Sequence, residues 1–314
     1  MSAQNSNVVA LLGGLGNQLF QYAFGLNLEV VTGLDTRFDC RPLERYTLHG
    51  GMLQIERYFD VKLPRATSHD IRGARRLWGN PRTLGGLFRA SKHLGSIVPI
   101  RTDYNLDLRK KFSGGYYFGY WQTPELAGEF RKFLCFKSKL IEEAVQILDK
   151  IKIDPISDVV VHVRRGDFLK LTESPHLPLP ELTYYAPLMQ ELTNRGAKKF
   201  LVISDDIEAV KKGPLSNFNC TFIDPSFSPS AGHDLCLLAL CNTKILSASS
   251  FSWWGAALSI GENSCVLAPS PWVKLHSIGD PVLAAHPLST WHLIETGGVQ
   301  MGNAEARIPA TVCA

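Results

Sequence analysis

The sequence predicts an α/β protein of two domains, each built around a doubly wound parallel sheet. Three observations carry that prediction. Short, continuous, apolar and β-branched runs recur along the chain, as expected of strands covered on both faces. Segments compatible with helices separate most of them, the alternation that a parallel sheet requires. With 314 residues and 45% apolar content, the chain can bury a large core, and two domains of ordinary size are the natural division.

The elements follow in order. Residues 8–12 (VVALL) are a strand, and Gly13-Gly14-Leu15-Gly16-Asn17-Gln18 turns the chain. Leu19, Phe20, Ala23 and Phe24 then recur at helical spacing. Between residues 65 and 111 eleven cationic residues face three anionic ones, with Trp78, Leu84, Leu87 and Phe88 interleaved. This basic insertion reads either as a solvated face or as a peripheral contact with an anionic membrane. From residue 158 the pattern is regular, with strands at 159–163, 200–203, 220–223, 245–248 and 265–268. Helices are expected at 183–194, 207–212, 233–240 and 252–259 between them. The expected domains are residues 1–155 and 156–295, joined near Asp154-Pro155. Residues 296–314 have few apolar groups and no period, so they read as a disordered tail.

Composition excludes several classes. A net charge of +4 does not call for nucleic acid as a partner. The seven cysteines show neither a C-x2-C pair nor a Cys/His cluster. The apolar run at 8–12 is too short for a signal peptide, and the one at 235–240 is far short of a membrane span. A reduced, soluble, cytoplasmic protein is the expectation.

The polar clusters lie where an open parallel sheet binds ligands, outside the carboxyl ends of its strands. Arg164 and Arg165 follow the strand 159–163, and adjacent guanidinium groups suit bidentate binding of phosphate. An internal Arg–Asp salt bridge is the plainer reading. By strand alternation His162 and Arg164 share one face, which suggests a ligand-facing role for both. Arg165 is then left to brace Asp167 or a neighbouring loop. Gly14, Gly16 and Asn17 resemble a dinucleotide turn, although Leu19 stands where a third glycine is expected. The turn allows close backbone approach and opens a helix N-terminus toward an anion or a sugar hydroxyl. Asp205 and Asp206 suit either a divalent cation or the N1–H and N2–H donors of guanine, and they are also a plausible cap pair. The arginines already supply the positive charge a cation would bring, which favours guanine. Ser249, Ser250 and Phe251 open a helix whose first N–H groups, with the serine hydroxyls, can donate to phosphate. Trp253 and Trp254 read as core. Together these residues describe a pocket for a purine diphosphate.

The segments Gly13–Gly25 (GGLGNQLFQYAFG), His162–Phe168 (HVRRGDF), Ile203–Asp206 (ISDD) and Ser249–Leu258 (SSFSWWGAAL) resemble the α-1,2-fucosyltransferases in order and spacing. The resemblance runs from Leu11 to about Trp272. It implies a GT-B fold of two Rossmann-like domains facing a cleft, the second binding GDP-β-L-fucose and the first lying on the acceptor side. It implies no metal and no cofactor besides the co-substrate, and inverting transfer to the 2-hydroxyl of a terminal galactose. In related fucosyltransferases the first arginine of the pair, here Arg164, contacts the β-phosphate. Ala248 and Ala257 depart from the family pattern, where Asn and Trp are frequent. For a general base Asp167 is the first candidate, with Glu173 and His233 as alternatives. Two rivals stand beside this reading: a metal-dependent transferase using Asp205 and Asp206, and a non-catalytic sugar-nucleotide sensor.

Overall fold

A computed structural model describes residues 6–45, 51–76, 115–122, 124–165, 182–261, 264–270, 272 and 288–296. The chain divides into two compact units, with the break between Cys135 and Phe136.

In the first unit, β1 (Asn7–Ala10) leads into α1 (Leu15–Thr32) and β2 (Thr36–Asp39). Short helices α2 (Arg41–Arg45), α3 (Ile55–Tyr58) and α4 (Ser68–Arg76) come before β3 (Gly115–Tyr117) and α5 (Pro124–Phe130). The sheet order is β2-β1-β3, all parallel, with Val8 opposite both Arg37 and Tyr116. As the central strand, β1 is buried throughout. Helix α1 buries Leu19, Phe20, Ala23, Phe24 and Leu28, the apolar stripe its spacing predicts. It comes so close to β2 that a Cβ at Gly25 would lie 2.6 Å from the Phe38 ring. Helix α1 ends at Gly33, whose φ of 67° is the left-handed stop that glycine tolerates.

The second unit contains α6 (Ser138–Ile151), β4 (Val159–Val163), α7 (Leu182–Asn194), β5 (Phe200–Ser204), α8 (Ile207–Lys211) and β6 (Cys220–Phe222). It continues through α9 (Ala231–Leu240), β7 (Thr243–Ile245), α10 (Ser250–Ala257), β8 (Cys265–Ser270) and β9 (His292–Glu295). Six parallel strands run in the order β6-β5-β4-β7-β8-β9. Val159, Val161 and Val163 face a core shared with Tyr185, Leu188 and Met189 of α7. The alternate face of β4, with His162, meets α10.

Three expectations need correction. The units meet about twenty residues before the expected link at residue 155, because α6 packs against α9 and so belongs to the second unit. The expected strand 245–248 is Thr243–Ile245, and its start is disguised by Lys244. That lysine is fully buried, its ammonium donating to the Cys241 carbonyl and to Ser264 Oγ at 3.2 Å. Burial lowers its pKa to about 8. Cys265 is disulfide-bonded, so the expectation of a wholly reduced set of thiols does not hold for it.

At the tail, Thr296 is tied to Ser270 O through its N–H at 2.7 Å and its hydroxyl at 3.0 Å. The remainder of the expected tail, 297–314, lies outside the described residues, as does the basic insertion beyond residue 76. Within its described part Arg65 pairs with Glu56 at 2.6 Å. Among the described residues no helix is long and apolar enough to cross a membrane.

Candidate functional site

In the second unit the chain runs outward from β4 through β5 to β6, and outward in the opposite direction from β7 through β8 to β9. The strand order therefore reverses between β4 and β7, and a crevice at their carboxyl ends is where such sheets bind ligands. Arg164 and Arg165 leave β4 at that point, Asp205 and Asp206 leave neighbouring β5, and the chain after β7 leads into α10.

The register sets Val163 opposite Ser204, so the two charged pairs emerge side by side. Arg164 Nη1 lies 2.9 Å from Asp205 Oδ2, with side-chain exposures of only 18% and 27%. The Arg165 backbone N–H donates to Asp205 Oδ1 at 2.8 Å, and its Nε reaches Asp206 Oδ2 at 3.5 Å. Asp205 thus ties the first arginine to the strand-end backbone. A guanidinium has five N–H donors, so this pairing orients Arg164 without exhausting it. Arg165 braces the β5 end, and Asp167, the partner first expected for it, lies outside the described residues.

His162 precedes the arginines and is almost fully buried. Its Nδ1 is hydrogen-bonded to Ser252 Oγ of α10, and the Phe251 ring lies 5.3 Å from its own. Burial lowers its pKa to about 4, the Arg164 charge acts the same way, and Asp205 opposes both. The imidazole is therefore neutral at neutral pH. Ser249 caps α10 by accepting from Ser252 N at 3.0 Å. The first N–H groups of the helix, from Ser250 and Phe251, have no carbonyl one turn back within it. Trp253 and Trp254 are fully buried against each other, as core residues.

The glycine turn of the first unit follows β1, where that smaller sheet reverses its order. Gly13 has φ of 79°, and a Cβ there would lie 2.6 Å from Asn17 Nδ2. Gly14 is the N-cap of α1, and Gly16 is buried in its first turn. Asn17 Oδ1 accepts from Gln122 Nε2 at 2.8 Å. Two glutamines that the sequence pattern gave no reason to single out hold the turn. Gln21 accepts from Leu12 N and donates to Gly119 O, both at 3.0 Å. Gln18 donates to Gly13 O and Met52 O at 3.0 Å and accepts from Gln54 N at 2.9 Å. Both are fully buried, and their burial was the missing signal: on a helical wheel they look like ordinary surface amides.

Of the general-base candidates, Asp167 and Glu173 lie outside the described residues. His233 has both ring nitrogens engaged, with Ser230 Oγ at 2.8 Å and Glu143 Oε2 at 3.0 Å, which leaves no nitrogen to take a substrate proton. Beside it Asp234, half-buried, has its pKa raised to about 6 by loss of solvent. Among the described residues no group of three or more His, Cys, Asp or Glu side chains is placed to hold a metal ion.

Two parallel α/β units of this kind are those of a GT-B fold, and solved structures share it. The chain superposes on POFUT1 in complex with GDP-fucose with a TM-score of 0.54 and 13% identity, over 84% of this chain and 97% of that one. A high-resolution structure of POFUT1 with GDP gives a TM-score of 0.53 over 85% and 98%. The profile of Glycosyl transferase family 11 matches residues 106–277. An α-1,2-colitosyltransferase of Escherichia coli is 31% identical over 85% of this chain and 92% of its own. The O-antigen biosynthesis glycosyltransferase WbnK of the same organism is 24% identical over 83% and 93%. The mouse galactoside 2-alpha-L-fucosyltransferase Sec1 is 24% identical over 98% and 80%. The chain belongs to glycosyl transferase family 11, the family of α-1,2-fucosyl- and colitosyltransferases.

Proposed function

We propose that the protein transfers L-fucose from GDP-β-L-fucose to the 2-hydroxyl of a terminal galactose in a glycan, with inversion to an α-1,2 linkage. The observation that carries this is the oriented, largely buried Arg164–Asp205 pair beside neutral His162 at the switch point of the second sheet. In the reaction the fucose C1–O bond to the β-phosphate breaks, and its electron pair leaves with GDP. The galactose O2 forms the new bond to C1 from the opposite face and gives up its proton. Arg164 and the free N–H groups of Ser250 and Phe251 counter the charge growing on the leaving phosphate. A proton acceptor at Asp167 would add roughly 10²–10⁴ in rate.

Arg165, Asp205 and Asp206 complete the donor-binding set, with Ser249 and Ser250 at the helix mouth. Gly14, Gly16 and Asn17 offer sugar hydroxyls or phosphates a hydrogen-bonding surface on the first unit. The positive charge comes from arginine, so the reading needs no divalent cation.

A second reading changes the sugar. The 31% identity to a colitosyltransferase favours a GDP-linked 3,6-dideoxyhexose, which is fucose without its 3-hydroxyl. Both donors should be offered with lactose and N-acetyllactosamine while GDP release is followed. Preference for GDP-fucose supports the first reading and preference for GDP-colitose the second. Release of GDP with neither donor would defeat both.

A further inference from the structure

The hydrogen bonds around α10 form a directed chain. Ser252 N–H donates to Ser249 Oγ at 3.0 Å, and the Ser249 hydroxyl donates onward to Ser252 Oγ at 3.2 Å. The Ser252 hydroxyl has one proton to give, and with Ser249 donating to it, His162 Nδ1 is the partner left to receive that proton. Both ends of that last bond are buried, Ser252 fully and His162 to all but 4%. An imidazole that is neutral and accepts at Nδ1 carries its single proton on Nε2. Nε2 has no hydrogen-bond partner among the described residues, whereas Nδ1 is taken.

We propose that Ser252 is a positioning residue that locks His162 in its Nε2–H tautomer, so that the imidazole presents a fixed hydrogen-bond donor to an acceptor atom of the nucleotide diphosphate. This rests on the donor-binding reading above and goes beyond it, because it assigns the proton and the residue that holds it. A helix cap alone would not require it. Ser249 already satisfies the Ser252 N–H with its own oxygen, so the Ser252 hydroxyl is unnecessary for capping. The residue types fit the task. A hydroxyl can accept and donate at once, and at a fully buried position each of its hydrogen bonds must be made within the protein. Phe251 lies against the imidazole ring and limits its rotation, leaving the choice of protonated nitrogen to Ser252.

The test uses the full-length protein with ¹⁵N-labelled histidine. Nine histidines contribute signals, and the His162 pair is assigned by its loss in His162→Gln. In the ligand-free wild type, Nδ1 should give a pyridine-type shift and Nε2 a pyrrole-type shift. In Ser252→Ala the two shifts should move toward each other as the tautomers mix, with the fold retained by circular dichroism. The KM for the nucleotide-sugar donor should rise about 5- to 10-fold, the worth of one ordinary hydrogen bond, while kcat changes less. Ser252→Cys, nearly isosteric but a weak donor, should fall between the two.

His162→Gln places an amide N–H near the Nε2 position and should bind GDP better than His162→Asn, whose amide lies near Nδ1. A wild-type spectrum with the proton on Nδ1, or unchanged shifts and KM in Ser252→Ala, would overturn the assignment. Calorimetry of GDP on the wild type separates the two levels. Absence of binding defeats the donor-site reading, while the tautomer is still decided by the spectrum.

Discussion

Replacing Arg164 with alanine should reduce turnover far more than it reduces nucleotide affinity. The guanidinium sits 2.9 Å from Asp205 with 18% of its side chain exposed, so its charge acts in a poorly screened setting. If it meets the β-phosphate, its contact strengthens as the C1–O bond breaks and charge collects on the leaving oxygen. Losing such a contact costs about 3 kcal/mol, which is about 150-fold in kcat. The ground-state share is smaller, so GDP affinity should fall only about tenfold. Asp205 keeps its bond from the Arg165 N–H, so the stranded carboxylate should cost stability only about 1–2 kcal/mol and leave the protein folded. Arg164→Lys retains the charge but loses the planar fork, and should lie between the two. Single-turnover kinetics with calorimetry of GDP gives both numbers. A variant with near-normal turnover, or one in which affinity falls as far as kcat, would refute the transition-state role.

Activity should survive excess EDTA, because the proposed counter-charges are arginines and helix N–H groups. Full loss restored by Mg²⁺ or Mn²⁺ would favour the metal-dependent alternative. Alanine at Asp205 or Asp206 should weaken discrimination between guanine and adenine nucleotides, measured as the ratio of GDP to ADP affinity, if either carboxylate reads the base. An unchanged ratio in both variants would reduce them to partners of Arg164 and Arg165. The lowered pKa of His162 means that the fold favours its neutral form, so its contribution to stability is complete above about pH 6.5 and falls as pH drops toward 4. Between about pH 7.5 and pH 5, urea unfolding should show the wild type losing about 2 kcal/mol more than His162→Gln, and parallel curves would contradict this.

Much of the second unit is legible in the sequence because β4, β5 and β8 are buried almost throughout and read as apolar runs, whereas β6 is only partly buried and β9, with Leu293 exposed, gives no such run. The segment 159–163 matches β4 in both bounds, and the alternation along it correctly separates His162 from the Val163 face. Where a buried strand carries a charge the rule fails: Lys244 hides the start of β7 because its partners, Cys241 O and Ser264, come together only in the fold. The unit boundary was obscured for a similar reason. Leu140, Ala144 and Leu148 mark the buried stripe of α6, but periodicity cannot say which unit a stripe will cover. At the candidate site, residue types and strand-end positions are visible in the sequence, and pairings are not. Nothing in the spacing links Ser252 to His162, ninety residues earlier, or Gln122 to Asn17. Gln18 and Gln21 act through burial, which a polar residue type conceals.

Transfer of a GDP-linked 6-deoxyhexose in α-1,2 linkage to a galactoside is read out most directly by the linkage of the product. Purified protein, GDP-fucose and lactose should give a trisaccharide in which NMR shows an α-anomeric fucose joined to O2 of galactose, formed in step with GDP. A β-anomer, attachment at another hydroxyl, or no sugar transferred from either GDP-fucose or GDP-colitose would rule out α-1,2 transfer by this protein.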